Sequence, residues 1–197
     1  MLLAASDALL ALACLWAAWT LTGRAGPAPG PVRLLALAIA ALAVPSAAGA
    51  ARFGGVQAPW LVSLHQGASD LYALLGFATV AAALFMLPNP RRWPLVTGVA
   101  ILMVAALALA GQKALVGPLA SLFILAATVR LMAGRPGQAR LWLGLSMAGM
   151  VGAALTRVPG LLAPDARIIG LHLGLMLWVA ALAAGIARLP PRPPAQP

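Results

Sequence analysis

Residues 60–88, WLVSLHQGASDLYALLGFATVAAALFMLP, constrain the chain more than any other stretch. A run this long and apolar is a membrane-spanning helix, because a helix rises about 1.5 Å per residue and the hydrocarbon core is about 30 Å thick. Its first half, however, carries His65, one of two histidines, and Asp70, one of three acids. At about 100° per residue, His65, Ser69, Tyr72, Gly76 and Thr79 fall on one stripe. Gln66 and Asp70 flank that stripe on one side, and Leu64, Leu71 and Leu75 flank it on the other. Counted from Pro59, Asp70 lies about 15 Å along the helix, where an unpaired carboxylate costs several kcal/mol. The pattern predicts a polar pocket inside a membrane protein, with Asp70 protonated or paired with His172 or Arg52.

Composition sets the class. Of 197 residues, 63% are hydrophobic and 8% charged, glutamate is absent, and the mean hydropathy is +0.99. These values exclude a soluble core and leave room for six to eight spans in about that length. The net charge of +10 would suggest a nucleic-acid partner in a soluble chain. Here the arginines sit in short gaps between apolar runs, which is how topology is encoded, so no nucleic acid is expected. Cys14, the single cysteine, lies within the first apolar run and reads as a small buried hydrophobe.

Seven spans are expected, in one domain covering residues 1–188. The first, Leu2 to Thr22, has no preceding Lys or Arg and contains Asp7, so it is read as retained rather than as a signal peptide. A Gly/Pro linker (23–31) leads to a second span, Val32 to Arg52, with Pro45 placed to kink it. The third is the central run, with Trp60 as an interfacial anchor. The basic turn NPRRW precedes a fourth span, Pro94 to Ala110, and a fifth follows from Leu115 to Met132, with Gly111 and Pro118 expected to break the helix between them. The sixth, Arg140 to Thr156, carries Gly144, Gly149 and Gly152 and so suits close helix contact. The seventh is Ile168 to Arg188. Residues 189–197 form a proline-rich cytoplasmic tail.

Nine basic residues fall on the side of the first, third and fifth loops and the tail (Arg24, Arg33, Arg91, Arg92, Arg130, Arg135, Arg140, Arg188, Arg192), against four on the other (Arg52, Lys113, Arg157, Arg167). That asymmetry places the N-terminus outside and the C-terminus in the cytoplasm, in a multi-pass protein of the cytoplasmic membrane. Asp7, His65, Asp70 and His172 then collect in the outer leaflet, with Ser46, Arg52, Gln66, Ser69 and Tyr72 as the rest of a polar pocket. Two His and two Asp are acceptable zinc ligands, although no pair has the i, i+3 or i, i+4 spacing that one helix would supply. His65 and His172 at similar depth would suit a haem held from both sides. The plainest alternative is that the same groups hydrogen-bond between helices and fix packing, each contributing about 0.6 to 2 kcal/mol.

A serine near the end of helix two, an aspartate in helix three and a histidine in helix seven, in a seven-helix chain with its N-terminus outside, resemble the CREST superfamily of alkaline ceramidases, progestin/adipoQ-type receptors and haemolysin-III-like proteins. The resemblance implies Ser-x3-His in helix two, Asp in helix three and His-x3-His in helix seven, binding zinc for lipid amide hydrolysis. Ser46, Asp70 and His172 occupy three of those positions, whereas Ala50 and Met176 stand at the other two. Two of the three zinc histidines are therefore missing. The expected function is a non-catalytic accessory or scaffold subunit that binds membrane lipid or packs against another membrane protein; a CREST-like zinc hydrolase of a lipid amide or ester, and a haem- or quinone-binding subunit, are the alternatives.

Overall fold

The structure is a computed structural model in which residues 1–23, 30–88, 93–135 and 137–189 are described. Among these residues all regular structure is helical, in seven helices: α1 (Leu2–Gly23), α2 (Gly30–Phe53), α3 (Pro59–Met86), α4 (Trp93–Leu109), α5 (Lys113–Met132), α6 (Gly137–Leu155) and α7 (Pro164–Ile186). Five of them, α1, α2, α3, α5 and α7, are long and apolar enough to cross a membrane. The chain is a multi-pass membrane protein on that ground. α4 has only 17 residues, and α6 is less apolar because Gln138 and Arg140 occupy its first turn. The expected tail lies outside the described residues, as do most of the linker at 23–31 and of the NPRRW turn.

Helix boundaries follow from proline and glycine. Pro59 and Pro164 open α3 and α7, where a missing N–H costs nothing because the first turn's N–H groups have no helical partner. Gly111, with φ at 72°, ends α4 by adopting a conformation that side chains with a Cβ resist. Pro118 does not share that work as expected. It sits inside α5, which runs unbroken from Lys113. Placed near the start of the helix, it removes one backbone hydrogen bond and leaves the rest of the ladder intact. α2 likewise continues through Pro45 to Phe53.

The helices close a ring in the order α1, α2, α3, α5, α6, α7, and α7 returns to α1. α4 stands outside the ring against α3 and α5, in a small cluster of Ala78, Val104 and Val116. The main core runs down the ring's axis through Leu10, Cys14, Ile39, Leu84, Ile124, Leu143 and Trp178. Its closest seam joins α6 to α7. A Cβ on Gly149 would lie 2.6 Å from the backbone N of Trp178, and one on Gly174 would lie 2.6 Å from the backbone N of Ala153. Only glycine permits that approach. Gly144 and Gly152, expected to help, meet nothing closer than the Met132 methyl at 3.8 Å.

α3 departs from the expected periodicity at one turn. Residues Tyr72–Gly76 form a π-turn, in which the Phe77 N–H reaches back to the Tyr72 carbonyl. The extra residue rotates everything after it by about 100° relative to a continuous α-helix. The inward stripe is therefore His65, Ser69, Tyr72 and then Phe77, Val80 and Leu84, with Val80 and Leu84 fully buried. Gly76 and Thr79 fall out of it. Gly76 lies against the Tyr72 ring with no room for a Cβ.

Candidate functional site

α1, α3 and α7 start at the same end of the ring, because helices two apart in an alternating bundle run the same way. Their N-terminal halves meet the C-terminal half of α2 around a cavity of about 150 Å³. Asp7, Ser46, His65, Ser69, Tyr72, Arg157 and His172 supply its polar wall, and leucines from α1, α2 and α7 together with Phe77 supply the apolar wall. The structure thus brings together Asp7, His65, His172, Ser46, Ser69 and Tyr72 of the expected residues.

His172 is clamped by two neighbours on α1. Its Nδ1 is 3.0 Å from Ser6 Oγ, and its Nε2 is 3.5 Å from Asp7 Oδ1. Ser6 donates its only hydroxyl proton to the Leu3 carbonyl at 2.8 Å, so the imidazole must donate from Nδ1. Across the 3.5 Å Nε2 contact Asp7 and His172 can hold one proton between them, either as carboxylic acid and neutral imidazole or as carboxylate and imidazolium. Both forms leave the pair neutral overall. That neutrality is what permits two titratable groups, with Asp7 only 1% exposed, to sit inside a membrane helix bundle.

His65 is held differently. Its Nδ1 lies 2.9 Å from the Pro45 carbonyl, which can only accept, so Nδ1 carries the proton and Nε2 presents a lone pair. The ring is further packed edge-on against Phe53, at 5.9 Å between centroids, and the Arg52 guanidinium lies over that Phe53 ring. Gly49 is the joint between the two sets. A Cβ there would fall 2.6 Å from Asp7 Oδ2 and 2.9 Å from His65 Cε1, so only glycine lets the carboxyl group and the second imidazole approach across α2.

Two buried polar atoms beside the cavity have no hydrogen-bond partner among the described residues, Asp7 Oδ2 and the Tyr72 hydroxyl. Each costs about 1 to 3 kcal/mol unless something satisfies it. Ser46 and Ser69 do not, because each hydroxyl donates to its own helix, to the carbonyls of Leu42 and His65.

Three expected residues lie elsewhere. Asp70 and Gln66 are on the outer surface of α3, not in the pocket, and Asp70 contacts neither His172 nor Arg52. The reason is rotational. With His65 and Ser69 committed to the interior, a residue about 140° away must face out. Arg52 sits behind Phe53 and off the cavity wall. Ser6 and the Pro45 carbonyl, conversely, were not expected. Ser6 is marked in the sequence only by its adjacency to Asp7, and a carbonyl has no sequence signal at all.

The residues present do not fit the zinc centre implied by the CREST resemblance. Asp70 faces away from His172, and among the described residues no three His, Cys, Asp or Glu side chains form a group able to hold a metal. They do not fit a bis-histidine haem either. Both ring nitrogens of His172 are engaged, by Ser6 and Asp7, so neither is free to ligate the iron. No protein-family model, no curated protein and no solved structure matches this chain.

Proposed function

We propose that the chain is a non-catalytic accessory protein of the cytoplasmic membrane, spanning it seven times with the N-terminus outside, and that its outer-leaflet cavity binds the polar head of a membrane lipid or similar amphiphile. The observation that carries this reading is Asp7 Oδ2, a buried and unpartnered acceptor beside a cavity with one polar and one apolar wall. With the His65 Nε2 lone pair next to it, the site asks for a ligand that donates hydrogen bonds, such as a hydroxyl or an amine. Arg157 in the same wall offers its guanidinium to an anionic part of the head. The arginine asymmetry supports the orientation.

Hydrolysis is less well supported. Ser46 is bonded to its own helix, and Ser6, the one serine touching an imidazole, is not part of the cavity wall. Among the described residues, no serine of the cavity wall bonds to an imidazole.

The test is the lipid content of the protein purified in mild detergent, measured by mass spectrometry. About one tightly held lipid per chain is expected for the wild type. Ala73→Phe, which fills the cavity without altering its polar groups, should remove it. Equal lipid content in the two proteins would overturn the reading. One zinc per wild-type chain, lost in His172→Gln, would replace it with the hydrolase that the resemblance implies.

A further inference from the structure

Directly behind the cavity, the outer face of α3 carries a second polar stripe. Ser63, Gln66, Gly67 and Asp70, spaced i, i+3, i+4 and i+7, are all exposed, and Trp60 continues the row at 65% exposure. The first half of α3 packs chiefly on α2, and among the described residues nothing covers this face. The His65 ring packs edge-on against Phe53, with the Arg52 guanidinium over that Phe53 ring at the end of α2, and an arginine at the end of a spanning helix is expected at the membrane boundary. Asp70 is five residues further along, about 7 Å deeper. A carboxyl on so short a side chain cannot snorkel back to water, and an amide one turn away has no better access.

We propose that the face is an interface between two copies of this chain, with α3 packed against α3 about a two-fold axis. The stripe sets an amide donor one turn from a carboxyl acceptor, so about a two-fold axis Gln66 of each copy can donate to Asp70 of the other. Gly67 lies between Gln66 and Asp70, with open space where a Cβ would be, so the two backbones can cross closely there. In that crossing, Gln66 of one copy lies one turn from Asp70 of the other, within reach of its amide. The proposal is independent of what the cavity binds, because the two faces are on opposite sides of α3.

The experiment is the protein's mass in detergent and in nanodiscs by light scattering, with cysteine cross-linking. The wild type should be a dimer. Ser63→Cys should form a covalent dimer on mild oxidation, whereas the wild type, whose only thiol is the buried Cys14, should not. Asp70→Leu and Gly67→Leu should each weaken the dimer at least about tenfold, and Asp70→Asn, which keeps a donor and an acceptor, should retain it. Both leucine variants alter an exposed surface, and an unchanged helical circular dichroism spectrum shows that they fold. A monomeric wild type, or dimers that survive in both leucine variants, would overturn the proposal.

Discussion

Asp7 and Asp70 show how little a residue's type says about its role. Each lies within an apolar span, yet Asp7 is buried against His172 and Asp70 is exposed on the outer face. Their substitutions should therefore diverge. Asp7→Leu leaves His172 Nε2 buried without a partner and should cost about 1 to 3 kcal/mol in thermal unfolding in detergent, whereas Asp7→Asn, which can still hydrogen-bond to the imidazole, should cost less. Gly49→Ala should destabilise by about 1 to 3 kcal/mol, since its new Cβ lies within 3 Å of Asp7 and His65, whose neighbours hold them in place. Asp70→Leu should leave the unfolding of the monomer unchanged or slightly raise its midpoint. A larger loss for Asp70→Leu than for Asp7→Leu would reverse the assignment of the two carboxyls.

At the level of the helix, the π-turn in α3 decides which residues reach the core. It keeps Tyr72 and Phe77 on the same side, with their rings 5.2 Å apart, although they are five residues apart in sequence. Removing one residue from the turn would bring them to the i, i+4 spacing of an ordinary α-helix, which also shares a face. Deleting the exposed Leu75 should therefore preserve the core and give a folded protein. Deleting Ala82, in the regular segment beyond, rotates Leu84 and Met86 by about 100° out of positions where both are fully buried, and should abolish folding. Circular dichroism and monodispersity in detergent distinguish the two deletions, and equal tolerance would show that the turn does not set the register.

Across the whole molecule, the N-terminal halves of three parallel helices meet toward one end, so the orientation of the bundle decides which leaflet the cavity faces. The proposed topology predicts that a cysteine placed within Pro159 to Ala163 is labelled from outside intact cells, and that a C-terminal reporter is active in the cytoplasm. Labelling of that loop only after permeabilisation would move the cavity to the inner leaflet. It would leave the geometry of Asp7, His65 and His172 untouched, because that depends on the ring of helices alone.

Much of this architecture is legible in the amino-acid order. Apolar runs place the helices, Pro59 and Pro164 open two of them, Gly111 ends another, and the alternation of an odd number of helices brings Asp7, His65 and His172 to one end. These features are local, or follow from simple counting. What depends on the folded neighbours is rotation about each helix axis. α3 has polar groups on two opposite sides of its first half, and periodicity alone cannot say which side turns inward; Gly49 and the Pro45 carbonyl settle it by receiving His65. The π-turn is invisible to a calculation that assumes one constant period. Ser6 becomes a partner of His172 only because α1 and α7, farthest apart in the chain, close the ring side by side.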